Sequence, residues 1–375
     1  MSVWASMQTR RKLFKAFKAG EIYRKIDDHF LYPKIRNVST NDNSTTITFT
    51  LPTGLDPKLI EKRHYVFEQI FGKYIEIDGE IKRFTLTVYK MSMVEELTYK
   101  ADAILKEVKG KRLGIVCGMD RNGRYVSLDL LTMPHVLVAG ETGSGKSTQL
   151  RSILTTLILS KKPSELQLYL ADCKKSEFHL FRKVEHVKCV LSKPSEIARM
   201  LRHIKKELDE RSDLTETFEV GHVDDLPSEH KRPYIVVCID EFVMLRKDDY
   251  IMDVLTELVA IGRTLGVFAI LSMQRPNAQV LDTTIRANLT VSMGFKLRDM
   301  VESRIVNTPG AERIEKSGRL IMNSDRVYEL QAPYLTMDEA KKMLNPFMVT
   351  KTPVKEVKPE EAKQLTEKDV FNDVN

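Results

Sequence analysis

The stretch "HVLVAGETGSGKSTQL", His135 to Leu150, decides how the rest of the chain is read. A short apolar run ends in a glycine-rich turn, and the turn opens into "KSTQLRSILTTLILS", whose apolar residues recur at helical spacing. Gly140, Glu141, Thr142, Gly143, Ser144, Gly145, Lys146 and Ser147 match GxxxxGK[ST] between a strand and a helix, the setting a phosphate-binding P-loop needs. Glycines let the backbone close around an anion with successive N–H groups aimed at it. The start of the helix adds its positive dipole end. The nucleotide site is therefore expected to run from Gly140 to Thr148. Lys146 should reach the β- and γ-phosphates of ATP, and the Ser147 hydroxyl should bind Mg²⁺.

Working outward, "YIVVCIDEF" places Asp240 at the end of an apolar strand, where it can hold the magnesium shell. Glu241 follows and can orient or deprotonate an attacking water, because phosphoryl transfer asks the protein mainly for position and charge. "AILSMQRP" ends a third apolar strand at Gln274, expected beside the Asp240 strand, where an amide can touch both the γ-phosphate and the water. "HVLVAG", "LQLYLAD", "YIVVCIDE" and "GVFAILSMQ" are continuous apolar runs suited to a buried parallel sheet, and they alternate with longer helical patterns. The expected fold is α/β: a RecA-like P-loop ATPase with a mainly parallel sheet flanked by helices, preceded by a small α+β domain. Ligands in such folds bind beyond the carboxyl ends of the strands.

The domain plan follows from composition and pattern. Residues 1–30 read as a basic helix, with Leu13, Phe14 and Phe17 at helical spacing among Arg10, Arg11, Lys12, Lys15 and Lys18. The plain reading is an amphipathic helix packed on the next domain; the sharper one is a helix on an acidic membrane surface or on DNA. Residues 31–105 read as the small α+β domain. Its strands are "STTITFTL" and "RFTLTVYK", around one helix opened by Asp56 as N-cap and Pro57. Residues 106–348 form the motor, and 349–375 a charged, flexible tail. The chain has 375 residues and a net charge of +7, which is compatible with a polyanionic partner without requiring one. No apolar run approaches the ~18 residues of a membrane span. The four cysteines are widely spaced, with no metal-type pairing. The expected location is the cytoplasm, with a peripheral place at the membrane left open.

With these motifs in order, "GMDRNGRYVSLDLLTMPHVLVAGETGSGKS" (118–147) resembles the motor domain of the FtsK/SpoIIIE family. The likeness continues through "LYLADCKKSEF", where Asp172, Lys174 and Glu177 match, and through "LDER", "PYIVVCIDEF", "GRTLGVFAILSMQRP", "IRANL" and "ESRIVNTPGAERI…SGRLIM". It covers about 110–330, and more loosely the small domain. Cys173 stands where the family usually has proline, and Arg319 where it usually has aspartate. The chain is similar to short members such as the coupling ATPases of Gram-positive conjugative plasmids and integrative elements. Neither the winged-helix module nor the membrane-spanning segments of longer members are evident in it.

The resemblance implies a hexameric ring that pumps double-stranded DNA through a central channel, with an arginine from a neighbouring subunit completing each site. Arg304 matches the family's arginine, and Arg263 and Arg286 are alternatives. DNA contacts are expected from loops 172–183 and 315–326, namely Lys174, Lys175, Arg319 and Arg326, touching phosphates rather than bases. The expected partners are DNA, further copies of the chain, and a membrane-anchored transfer protein or relaxase. Two other functions stay open: a protein-export ATPase of the type VII secretion kind, and an ATP-switched docking platform for a relaxase or replication protein.

Overall fold

The computed structural model describes residues 3–41, 43–90, 92–277, 281 and 283–349. The expected tail lies outside the described residues except at 349, as do the first two residues of the N-terminal segment.

The helix Val3–Ala19 buries Leu13, Ala16 and Phe17. They enter one apolar core with Ile47, Phe49, Phe67, Phe84 and Leu86 of the segment that follows, so helix and small domain share a core. The arginines and lysines between these apolar positions are left on the outer faces, as the 3.6-residue period requires. Phe14 stays 41% exposed and packs instead on Tyr32, with ring centroids 4.9 Å apart. The core backs a four-stranded antiparallel sheet in the spatial order Lys34–Thr40, Ser44–Thr50, Arg83–Tyr89, Ile75–Gly79. The helix expected after Pro57 is two short helices, Lys58–Lys62 and His64–Phe71. Arg63 between them leaves helical dihedrals (φ −105°, ψ 15°), and its guanidinium reaches Glu21 and the Tyr65 hydroxyl. Asp56 accepts a hydrogen bond from the Lys58 N–H, as an entry cap does.

Among the described residues, ten strands form the large sheet. Six are parallel, in the spatial order Val187–Leu191, Leu166–Asp172, Tyr234–Asp240, Val267–Met273, Val136–Ala139, Val291–Gly294. The strand leading to Gln274 thus lies between the Asp240 strand and the P-loop strand, which is the RecA-like order. Four antiparallel strands continue the sheet: Arg319–Asn323, Val327–Gln331, Gly114–Met119 and Tyr125–Asp129.

Period-two alternation divides each central strand between two cores. Val136 and Val138 pack toward the P-loop helix Lys146–Ser160, together with Leu150, Ile153, Leu154 and Leu157. Leu137 and Ala139 face the other way, among Ile197, Leu201, Leu255 and Leu258 of the helices Pro194–Thr217 and Asp249–Ile261. Both sheet faces are covered, which is why these strands read as unbroken apolar runs. Arg211, in the "LDER" segment, is 1% exposed and ties this layer together. It pairs with Glu207 at 3.2 Å and donates to the Leu265 and Pro233 carbonyls at 2.9 and 2.8 Å. All four cysteines are free thiols, with Cys117 and Cys238 buried. Among the described residues, no helix is long and apolar enough to cross a membrane.

Candidate nucleotide site

The carboxyl ends of the parallel strands and the edge of the antiparallel extension enclose a cavity of about 1150 Å³. Glu141, Thr142, Gly143, Gly145, Lys146, Ser147 and Thr148 line it, while Gly140 and Ser144 lie buried behind them. Gly145 caps the helix at φ 108°, and a Cβ there would come within 2.8 Å of the Gly318 Cα. The loop is held in this shape by its neighbours. The Gly140 N–H donates to the Met273 carbonyl and the Glu141 N–H to that of Lys296. From the far side, the Gly318 N–H donates to the Ser144 carbonyl at 2.8 Å, and the Ser317 hydroxyl to the Gly143 carbonyl at 2.9 Å.

With those two carbonyls fastened to the wall, the first-turn N–H groups of Lys146, Ser147 and Thr148, which can have no intrahelical partner, are the loop's offer to an anion. The Ser144 hydroxyl oxygen is buried without a hydrogen-bond partner among the described residues. A cradle built for close backbone approach, beside an unpartnered buried hydroxyl, fits a phosphate chain.

Three strand ends converge below the loop. Lys146 and Asp240 are each 3% exposed and pair at 2.8 Å. Ser272, on the intervening strand, accepts from the Lys146 ammonium at 2.7 Å and donates to Asp240 at 2.8 Å. A buried ion pair survives only when its remaining hydrogen-bonding capacity is met, and Ser272 helps meet it. Glu241 follows in a left-handed conformation (φ 58°, ψ 52°) and is 6% exposed. One of its oxygens accepts the Gln274 backbone N–H at 3.2 Å and the other accepts from Lys174 at 2.9 Å. Carboxylates are dense here. Cys173 is pushed up to about 12, first by burial and then by the negative charges of Asp240, Asp172 and Glu241. Ser147 and Asp240 are among the oxygen donors that line the cavity, of the kind a hard divalent cation takes.

Two of the residues expected on DNA have partners within the protein. Lys174 lines the nucleotide cavity, because Asp172 accepts N–H groups from Ser176, Glu177 and Phe178 and folds the loop back over the strand ends. Arg319 is 9% exposed. Its guanidinium donates to Gln331 and to the Val94 carbonyl and lies 3.6 Å from Glu329, so its donors are largely engaged within the protein. Lys175 and Arg326 are exposed, the latter over the Tyr328 ring at 4.6 Å. Arg304, Arg263 and Arg286 are exposed and outside the cavity lining.

Sequence reasoning missed several contributors. Ser272 could have been noticed as the one hydroxyl in "GVFAILSMQ". The pair Arg151–Glu177, at 3.1 Å, closes one side of the cavity. Gly318, Gln331 and Tyr334 form its wall, and Glu95 reaches its mouth, paired with Lys316. These carry no local signal, since a wall is made by parts of the chain far from the loop they face.

Residues 102–229 match the FtsK/SpoIIIE family. DNA translocase FtsK of Tropheryma whipplei is 30% identical over 242 residues, covering 59% of this chain and 33% of that protein. The DNA translocase FtsK of Oceanobacillus iheyensis is 29% identical over 287 residues, covering 71% of this chain and 37% of the relative. The chain thus spans about a third of the length of these curated relatives. The fold is also that of the pCW3 conjugation coupling protein TcpA in its monomer form with ATPγS. The TM-score there is 0.62 at 22% identity, over 90% of this chain and 98% of that one. EssC ATPases 2 and 3 of Geobacillus thermodenitrificans share it with a TM-score of 0.61 at 18% identity, over 68% and 52% of the two chains. The matched stretch holds the P-loop and the Lys174 loop, and Asp240, which follows it in the chain, lines the same cavity.

Proposed function

We propose that the chain is an ATP-driven ring translocase that moves double-stranded DNA through a central channel, as the coupling or DNA-transfer ATPase of a mobile element. The observation that carries the hydrolytic half is the convergence of Lys146, Asp240 and Gln274, from three adjacent strand ends, at one cavity, with Glu241 bonded to the Gln274 N–H just behind its lining. Lys146 and the loop N–H groups take the phosphates, Ser147 and Asp240 hold Mg²⁺, and Glu241 with Gln274 orients the water. Magnesium supplies charge neutralisation at the transferring phosphoryl group.

The nucleic-acid half is supported by the DNA translocases among the relatives and by the coupling protein among the solved folds. Lys175 and Arg326 are the remaining candidates for phosphate contacts. Arg304 is the first candidate to complete a neighbour's site in a hexamer. A cytoplasmic motor of this kind would work beside a membrane-anchored transfer protein or a relaxase.

The test is ATP hydrolysis by the purified protein with and without long double-stranded DNA, beside Lys146→Ala. Stimulation of roughly ten-fold or more that is lost in the variant supports the translocase. Turnover that DNA leaves unchanged, in protein that binds ATP, overturns it in favour of a polypeptide-pulling or docking role.

A further inference from the structure

Two lysine–carboxylate pairs stand side by side at the strand ends, and they differ in freedom. Lys146–Asp240 is sealed, with both side chains 3% exposed and Ser272 bridging them. Lys174–Glu241 is asymmetric: the glutamate side chain is 8% exposed, the lysine side chain 33%. The glutamate has a left-handed backbone, a conformation that in a non-glycine residue persists only where the surroundings impose it. Its two oxygens are occupied, one by the Gln274 N–H and one by Lys174. A carboxylate bound at both oxygens, with an ammonium on one of them, is poorly placed to take up and orient a water. Lys174 has the opposite character. Asp172 pins its loop through three N–H bonds, so the main chain stays put while the four-carbon stem can swing. The ammonium already lines the cavity that Lys146, Ser147 and Gln274 line.

We propose that Lys174 is a positioning residue that distinguishes triphosphate from diphosphate. It holds Glu241 when no terminal phosphate is present and passes to that phosphate when a nucleoside triphosphate is bound, leaving the Glu241 carboxylate free for the attacking water. This rests on the reading of the cavity as a nucleoside-triphosphate site. Charge drives the exchange: an added phosphate brings negative charge to the ammonium, while a divalent cation draws on the carboxylates, so each pair separates into better-matched partners. A diphosphate ends before the position Lys174 would fill, so the latch on Glu241 stays closed after hydrolysis.

The experiment compares equilibrium affinities of a non-hydrolysable ATP analogue and of ADP, by calorimetry. The proteins are the unaltered chain, Lys174→Met, Lys174→Arg, Glu241→Gln and the double variant Lys174→Met/Glu241→Gln. Lys174→Met should weaken the analogue roughly ten-fold while ADP changes less than about two-fold, the loss of one charge-assisted contact. Lys174→Arg should recover part of the difference, because it keeps the charge. Glu241→Gln should tighten the analogue about three-fold by releasing the lysine, and that gain should vanish when Lys174 is already methionine. Equal weakening of analogue and ADP in Lys174→Met, or a Glu241→Gln gain that persists undiminished in the double variant, overturns the proposal. Failure of the unaltered chain to bind either nucleotide overturns instead the reading of the cavity on which it rests.

Discussion

The parallel and antiparallel halves of the large sheet meet at the same cavity but contribute to it differently. The parallel half supplies charged and polar groups, Lys146, Asp240 and Gln274 on the cavity and Glu241 bonded beside Gln274, each delivered by a strand end or the loop after it. The antiparallel half supplies shape. Gly318, next to the strand Arg319–Asn323, lies against Gly145, while Gln331 and the residues after it complete the wall. Chemistry concentrates where strands share a direction, because all their carboxyl ends then open on one edge. Antiparallel strands bring ends and beginnings together alternately and make a better buttress than a cluster.

That contrast can be broken by mutation. The largest effect should come from the parallel half. Asp240→Asn removes the buried partner of Lys146 and the proposed magnesium ligand together, and turnover should fall roughly 100-fold or more in a steady-state ATPase assay. The same change should lower stability to denaturant by about 3–5 kcal/mol, since it leaves a buried ammonium unpaired.

Gly318→Val tests the wall. Gly318 adopts φ +76°, and a Cβ there would stand 2.5 Å from the Gln331 side-chain nitrogen. The strain of about 1–3 kcal/mol should pass into the P-loop and raise KM for ATP roughly ten-fold, with a smaller change in kcat. A fall in kcat as large as that in Asp240→Asn would erase the division between chemistry and shape.

The smallest effect belongs to Ser272→Ala. It removes one bridge from the Lys146–Asp240 pair and should destabilise the nucleotide-free protein by about 1–3 kcal/mol. On the proposed function nucleotide and metal would separate that pair, so saturating Mg-ATP should shrink the deficit, which thermal unfolding with and without nucleotide would show.

Legibility in the sequence followed the same divide. The four apolar runs read as buried strands are the central strands of the parallel half, and their ends mark the residues of the site. Burial on both faces leaves a plain signature in composition. The antiparallel strands left less: "GRLIMNSDR" reads as a basic loop, yet from Arg319 it is a strand. Its arginine is drawn inward by Gln331, Glu329 and the Val94 carbonyl, partners close in space and far apart in the chain. The contact of Lys174 with Glu241 was illegible for a related reason. The basic neighbourhood of the lysine suggested a surface loop, and the turn that folds it inward depends on Asp172 capturing three amides.

By itself, then, the sequence determined the P-loop, the strand-end carboxylates and the alternation of strands and helices in the parallel half. These rest on local spacing and on period, which the chain carries wherever it folds. Tertiary structure alone decided that Gly318 shapes the loop at Gly145, that Ser272 joins Lys146 to Asp240, and that Lys174 faces Glu241. Each of those contacts joins residues well separated along the chain. Such pairings come into being only when strands are laid side by side, and no spacing in the sequence records them.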